Sequence, residues 1–461
     1  MPSEFNAKAQ SSQDAKLGQE TSTRWLVADT PSILSPDRTA TRFNSLASSH
    51  LCAFALKVFG IVPVEREDDD EHDDEHDDEH DDEHDDEDEH EDDFKPENFP
   101  NARASGRLPP VIDTQEKLAA FLPVMKSAEW LALDTEADSL HAYPEKVCLI
   151  QISTAVGDRL VDPLADIDLN PFLDALAGRE LIFHAADYDL RLLLKHHAFT
   201  PTAIFDTMLA ARLLGEKQFG LSNLVEKFLG VKLDKGSQKA DWARRPLTEK
   251  MEIYARNDTH YLKPLEDKLK LELQQKNRLA WHQESCARLI VDCSQPVVVD
   301  EDAIWRIKGS TFLERGALAI LRELWQWRER EAVAANRPPF FVLAHETMIA
   351  ICVAASERQP VEDLIPPRMH PRRRENLMEA VRAAQALPVG KFPQIIRHFS
   401  QRPSETEFRR FRELEKIRNQ HAHELAIDPT LIASKATLGD LARDWDKHAP
   451  DLMNWQRELL R

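Results

Sequence analysis

From residue 108 onward the chain alternates short apolar runs with amphipathic stretches. Residues 130–134, 147–153, 159–161 and 181–184 read as strands, apolar runs with polar residues at their margins. After residue 184, Leu190, Leu193 and Leu194 recur on one helical face, so the fourth strand turns directly into a helix. Another helix spans about 248–271, and its four-residue spacing stacks Tyr254 and Asp258. Strands alternating with helices in this way predict an α/β domain on a mixed sheet. Beyond about residue 265 the pattern becomes mostly helical. Leu318, Leu321, Leu324 and Trp325 keep helical spacing until Arg337, Pro338 and Pro339 interrupt it, which predicts a domain boundary near 290–310. Residues 1–64, rich in Ser, Thr and Ala, keep no sustained period and read as a low-structure extension; a wrongly assigned start codon would read the same way.

Charge changes this picture in one place. The formal net charge is −22, yet residues 65–93 alone hold 23 Asp plus Glu and a single basic residue, Arg66. The rest of the chain is formally neutral, so net charge does not argue against a polyanionic partner. The acidic stretch is a four-residue His-Asp-Asp-Glu repeat phased on His72, His76, His80 and His84. It reads as a disordered, solvated acidic tract and linker over 65–107, in preference to a metal-buffering tail or a polyanion competing for a basic groove. The five cysteines show no close pairing that would suggest zinc or a disulfide framework, which fits a reducing cytoplasm. No apolar run approaches the roughly 18 residues needed to span a bilayer, so no membrane partner is expected.

The candidate chemistry lies in carboxylates. Trp130-Leu-Ala-Leu-Asp134-Thr-Glu136 is a strand that puts two acids on one face, where a cation between them is favoured. Leu181-Ile-Phe-His184-Ala-Ala-Asp187-Tyr188-Asp189 places Asp189 early in the following helix. Asp134, Glu136, Asp189 and Asp258 together can hold two divalent cations, with Tyr254 beside them, which is equipment for displacement at phosphorus. Asp138, Asp162, Asp187 and Asp206 are expected to bond nearby backbone, and His184 to be a satisfied structural residue.

These three segments match, in order and spacing, the exonuclease motifs of the DEDD superfamily in its tyrosine-containing subgroup. Leu149-Ile-Gln151-Ile, Val161-Asp162-Pro163-Leu164, Phe205-Asp206-Thr207 and Asp241-Trp242-Ala-Arg-Arg245-Pro246-Leu247 make the stretch from about Leu108 to Lys270 resemble ribonuclease D. One departure is Ala137-Asp138-Ser139-Leu140-His141-Ala142-Tyr143, where the enterobacterial type is aromatic-rich. Trp305-Arg-Ile-Lys308-Gly309, Leu321 to Arg330 and Arg337-Pro-Pro-Phe340 resemble the HRDC domain that follows the nuclease in that family. Asp428-Pro429-Thr-Leu-Ile-Ala-Ser434-Lys435 resembles its second HRDC-like module.

The resemblance implies a ribonuclease H-like exonuclease domain at 108–285, a first HRDC domain at 312–389 and a second helical module at 404–461. It implies Asp134, Glu136, Asp189, Tyr254 and Asp258 as catalytic residues, the four carboxylates as ligands of two Mg²⁺ or Mn²⁺ ions, and Tyr254 as a group orienting water. One ion would be held by Asp134, Glu136 and Asp258 and activate water; the second, held by Asp134 and Asp189, would stabilise the leaving 3′ oxygen. The expected activity is 3′-to-5′ hydrolysis of single-stranded RNA to nucleoside 5′-monophosphates, in maturation of transfer RNA 3′ ends, by a monomer without nucleotide cofactor. From residue 301 onward there are 26 Lys plus Arg against 23 Asp plus Glu, and Arg372, Arg373 and Arg374 are candidate nucleic-acid contacts. Two alternatives stay open: a DNA exonuclease of repair, against which Arg245-Pro246-Leu247 argues, and an inactive RNA-binding scaffold, which the presence of all five site residues disfavours.

Overall fold

The computed structural model describes residues 108–234, 236–295, 300–396 and 402–461; the extension expected at 1–64 and the acidic tract expected at 65–107 lie outside them. After α1 (Gln115–Ser127), capped by Thr114, come β1 (Leu131–Ala137), β2 (Val147–Thr154) and β3 (Gly157–Val161). Helix α2 (Asn170–Leu176), β4 (Glu180–Phe183), α3 (Asp187–His197), β5 (Ala203–Asp206), α4 (Thr207–Leu214) and α5 (Leu221–Leu229) follow. The sheet order is β3-β2-β1-β4-β5, with β1–β2 and β2–β3 antiparallel and β1–β4 and β4–β5 parallel, so the sheet is mixed as expected. β5 is an element that the hydrophobic pattern did not predict. Its four residues are too few to show a period, and a parallel strand buried on both faces need not alternate.

The helix expected over 248–271 is two helices, α6 (Glu249–His260) and α7 (Leu262–Gln275), meeting at Tyr261. Helix α8 (Leu279–Ser294) crosses the outer edge of the sheet domain. In α3, Leu190 and Leu193 are buried as expected, but Leu192 is buried in place of Leu194. Helices α9 (Arg315–Ala335), α10 (Pro339–Val342), α11 (His345–Ser356) and α12 (Pro371–Gln385) close around an apolar core that includes Leu318, Leu321, Leu324 and Trp327; Trp325 is only partly buried. Tyr143, in the β1–β2 connection, touches this domain through a hydrogen bond from its hydroxyl to Glu329 Oε2 (2.5 Å).

The last helices, α13 (Glu405–Glu424), α14 (Pro429–Ile432), α15 (Lys435–Arg443), α16 (Trp445–His448) and α17 (Asn454–Leu459), share one apolar core with α4, α5 and α7. Trp281 of α8 stacks on Trp455 with ring centroids 5.0 Å apart. Arg278, nearly buried, donates to the carbonyls of Leu213 and Leu425, both at 2.7 Å, and so ties the end of α4 to the turn after α13. No helix among the described residues is long and apolar enough to cross a membrane.

Gly215 ends α4 with φ +96°, and a Cβ there would sit 2.1 Å from the carbonyl oxygen of Ala426. Gly215→Ala is therefore expected to destabilise the chain by about 2 kcal/mol or more, from backbone strain plus the clash. A thermal melt reads it as a drop of several degrees; an unchanged melting temperature would show that this junction yields freely.

Candidate active site

β1 delivers the first two carboxylates. Leu131 and Leu133 point into the core formed with α1, α2 and α3, while Ala132, Asp134 and Glu136 take the opposite face. The strand runs past Asp134 to Ala137, so Glu136 lies within regular β structure and the register slips only after it. β2 pairs with Asp134 opposite Gln151 and Glu136 opposite Leu149, which puts those four side chains on one face.

Helix α6 covers that face and is fixed there by polar contacts. Ser153 Oγ donates to Asp158 Oδ1 (2.6 Å) and meets Thr259 Oγ1 (2.7 Å), and His260 Nδ1 meets Asp158 Oδ2 (2.8 Å). The buried guanidinium of Arg256 donates to the carbonyls of Asp158 (3.0 Å) and Pro109 (2.6 Å). With the C-terminal half of the helix held in this way, Asp258 faces β1, and one oxygen each from Asp134, Glu136 and Asp258 lies within 4.8 Å of the others. All three residues are half-buried, and among the described residues none of them has a Lys or Arg partner.

Asp189 is placed differently. β1 pairs with β4 only through Leu131 and Ala132, so beyond them that edge of β1 has no strand beside it. Asp189 enters that gap from the first turn of α3: its Oδ1 accepts from the Thr135 N–H (2.9 Å) and the Thr135 hydroxyl (2.5 Å). The site thus has a compact trio plus a fourth acid anchored to the same strand.

Electrostatics mark all four. Burial first, then the charges of Asp189, Asp258 and Glu136, hold the Asp134 carboxyl well above the usual range, and Glu136 is raised by burial and by Asp258 and Asp189. Burial lifts Asp189 to about 7 against the opposing Thr135 hydrogen bonds, and lifts Asp258 to about 8 against a hydrogen bond from Tyr254. Burial and then the neighbouring carboxylates push the Tyr254 phenol far up, while a hydrogen bond from Gln238 acts the other way.

The acids set aside in the sequence are engaged elsewhere. Asp138 accepts from the Lys146 backbone and ammonium, Asp187 pairs with Arg191 (3.0 Å), and Asp206 caps α4 and also accepts from the backbone of Ala185 and Ala186. Asp162 pairs with Arg245, whose guanidinium also donates to the Cys148 carbonyl (2.6 Å), so this arginine clamps the 236–247 connection onto the sheet. His184 Nδ1 meets Thr207 Oγ1 (2.9 Å), and burial lowers its pKa against the opposing charge of Asp206. An open cavity of about 440 Å³ adjoins the first turn of α6, lined by Ser237, Lys239, Asp241, Arg244 and Lys250 among others. Trp242 in the same connection packs against Tyr254, with centroids 6.1 Å apart.

Of the basic triplet at the start of α12, Arg372 is exposed, Arg373 pairs with Glu331 (2.9 Å), and Arg374 reaches backbone carbonyls at 3.4–3.5 Å. Two residues to which the sequence reading gave no role stand next to the trio. Thr135 anchors Asp189. Gln151 is fully buried with neither polar side-chain atom partnered. The signal for Gln151 was a lone amide in a strand otherwise read as apolar.

Comparison with known proteins agrees with this geometry. A family model described as a 3′-5′ exonuclease matches residues 109–274, and the HRDC domain model matches residues 317–359. Ribonuclease D of Zymomonas mobilis is 35% identical over 296 residues, covering 62% of this chain and 75% of that protein. Ribonuclease D of Gluconacetobacter diazotrophicus is 31% identical over 364 residues, covering 76% and 90%. Among solved structures, RNase D of Escherichia coli superposes with a TM-score of 0.60 at 26% identity, over 76% of this chain and 96% of that one. The catalytic core of RRP6 from Trypanosoma brucei gives 0.51 at 28%, over 60% and 79%. With the nuclease and HRDC segments in the same order and most of each relative's length covered, this chain belongs to the ribonuclease D family of 3′-5′ exoribonucleases.

Proposed function

We propose that the chain removes nucleotides one at a time from the 3′ end of single-stranded RNA, transfer RNA precursors among its substrates, and releases nucleoside 5′-monophosphates. Family membership supports the RNA and the polarity. The observation that carries the chemistry is the trio of carboxylates, with oxygens within 4.8 Å of one another and no cationic side chain beside them among the described residues. Such an oxygen-only, mutually repelling set fits hard divalent cations. Asp134, Glu136 and Asp258 would hold one ion and Asp134 with Asp189 a second, Mg²⁺ or Mn²⁺. Bound there, the ions supply an acidified water and positive charge for the phosphate and the departing 3′ oxygen.

The protein's own groups set the geometry. Thr135 holds one oxygen of Asp189, so that acid can turn only its other oxygen towards the trio. The Tyr254 hydroxyl stays protonated at any physiological pH, which makes it a donor that orients Asp258 and the attacking water and unsuits it as a base. Lys239, Arg244 and Lys250 line the cavity at the first turn of α6 and offer charge to the phosphates of the strand, and of the arginine triplet Arg372 is the member open to such contact. The chain acts as a cytoplasmic monomer and uses no nucleotide cofactor.

Three outcomes are expected. Purified protein with 5′-labelled RNA should shorten it stepwise with Mg²⁺ or Mn²⁺ and not with EDTA; equal or faster shortening of matched DNA would move the assignment to DNA repair, and RNA binding without shortening to a scaffold. Asp134→Asn and Asp258→Asn should abolish cleavage with the fold intact, while Tyr254→Phe slows it less; wild-type turnover in either Asn variant would remove that residue from the site. The third concerns pH in the absence of metal. Asp258 titrates at about 8 in the folded chain against an ordinary 3.8, so the folded state binds the extra proton between these values. Its contribution to stability is complete below about pH 4 and is lost as pH rises through 8. Melts in EDTA should therefore fall in temperature from pH 5 to 8.5, Asp258→Asn should flatten that fall, and added Mg²⁺ should reverse it. A pH-independent melt would contradict the crowding of the four acids.

A further inference from the structure

Gln151 has a primary amide with two donors and a carbonyl acceptor, no exposure to solvent, and no hydrogen bond to either polar atom. A buried amide left unpaired is destabilising and rare enough in native proteins that each case calls for a physical reason. The surroundings on its own face narrow the reason. Across β3 it faces Leu160, and along β2 its neighbours on that face are Leu149 and Ser153. Leu149 and Leu160 are apolar, and Ser153 is already engaged with Asp158 and Thr259. Across β1 it faces Asp134, the acid common to both proposed ion sites. Directly opposed residues of an antiparallel pair have Cβ atoms about 4.5–5.5 Å apart, within reach of a glutamine side chain.

We propose that Gln151 is a positioning residue for Asp134: its side-chain N–H donates to the Asp134 carboxylate and holds it in the orientation that binds the divalent ion. The proposal rests on the metal assignment made above for the same site. An amide suits this position better than a cationic side chain. It fixes a carboxylate by donating a hydrogen bond, yet adds no positive charge that would displace the ion from an acid shared by two sites. The amide acts through Asp134 and does not itself need to touch RNA.

The test uses the full chain with Gln151→Met, an unbranched side chain of similar length without the amide. Mn²⁺ uptake is followed by calorimetry, with Asp134→Asn defining the background, because the His-Asp-Asp-Glu repeat can bind ions in every variant. Thermal melts are run in EDTA, and the exonuclease rate is measured across a range of Mn²⁺ concentrations. The expected result is a 10–100-fold loss of Mn²⁺ affinity at the site, as for other groups that hold a metal ligand in place. The melting temperature in EDTA should be no lower than that of the wild type, and the rate should recover as Mn²⁺ is raised. Unchanged affinity overturns the proposal. A lower melting temperature in EDTA also overturns it, because the amide would then be stabilising the metal-free fold. If the wild type takes up no more Mn²⁺ than Asp134→Asn, the metal assignment itself fails and this proposal falls with it; site uptake in the wild type that Gln151→Met leaves intact sinks this proposal alone.

Discussion

The structure depends on the antiparallel pairing of β1 with β2 in one register. That register puts Asp134 and Glu136 on the face covered by α6 and turns Leu131 and Leu133 into the core behind it. A slip of one residue would exchange the two sets, sending both acids into an apolar core and exposing two leucines. The pairing therefore resists slippage because the leucines must be buried, and the acids are held close together as a result. Their mutual repulsion is carried by hydrophobic burial on the reverse side of the same strand.

Around this strand the other elements act as fixed walls. The Ser153, Asp158, Thr259 and His260 network prevents α6 from sliding along the sheet, so Asp258 cannot retreat from the like charges it faces. Where β4 stops short, Asp189 fills the hydrogen-bonding edge that β4 leaves open. Arg245 draws the connection bearing Gln238 and Trp242 against Tyr254. Each contact is modest alone, and together they keep four raised carboxyls from relaxing apart.

Much of this was legible in the chain itself. Short apolar runs gave four of the strands, period two gave the placement of Asp134 and Glu136, and the four-residue spacing gave the stacking of Tyr254 and Asp258. Motif order supplied the family. What escaped depended on partners distant in sequence. Ala203–Asp206 is too short to carry a period, and its status as a strand comes from pairing with β4. The break at Tyr261 leaves the helical periodicity on either side intact, so one helix and two read alike. Asp189 bonding to Thr135, and Arg373 of the triplet turned inward to Glu331, are set by residues tens of positions apart. The isolation of Gln151 is likewise a property of its surroundings, which no local pattern encodes.

The core that joins α4, α5 and α7 to the final helices has a consequence for how the chain is made. The HRDC segment, with its own separate core, lies in the sequence between the two halves of that shared one. During synthesis the nuclease half emerges first, yet the apolar faces of Leu213, Leu224 and Leu269 have no complete covering until α13 to α17 have left the ribosome. Until then that flank of the sheet domain stays open to water, even where the strands have already paired. Completion of this core waits on α13 to α17, so a ribosome that stalls before them leaves a nuclease domain with an unsealed side.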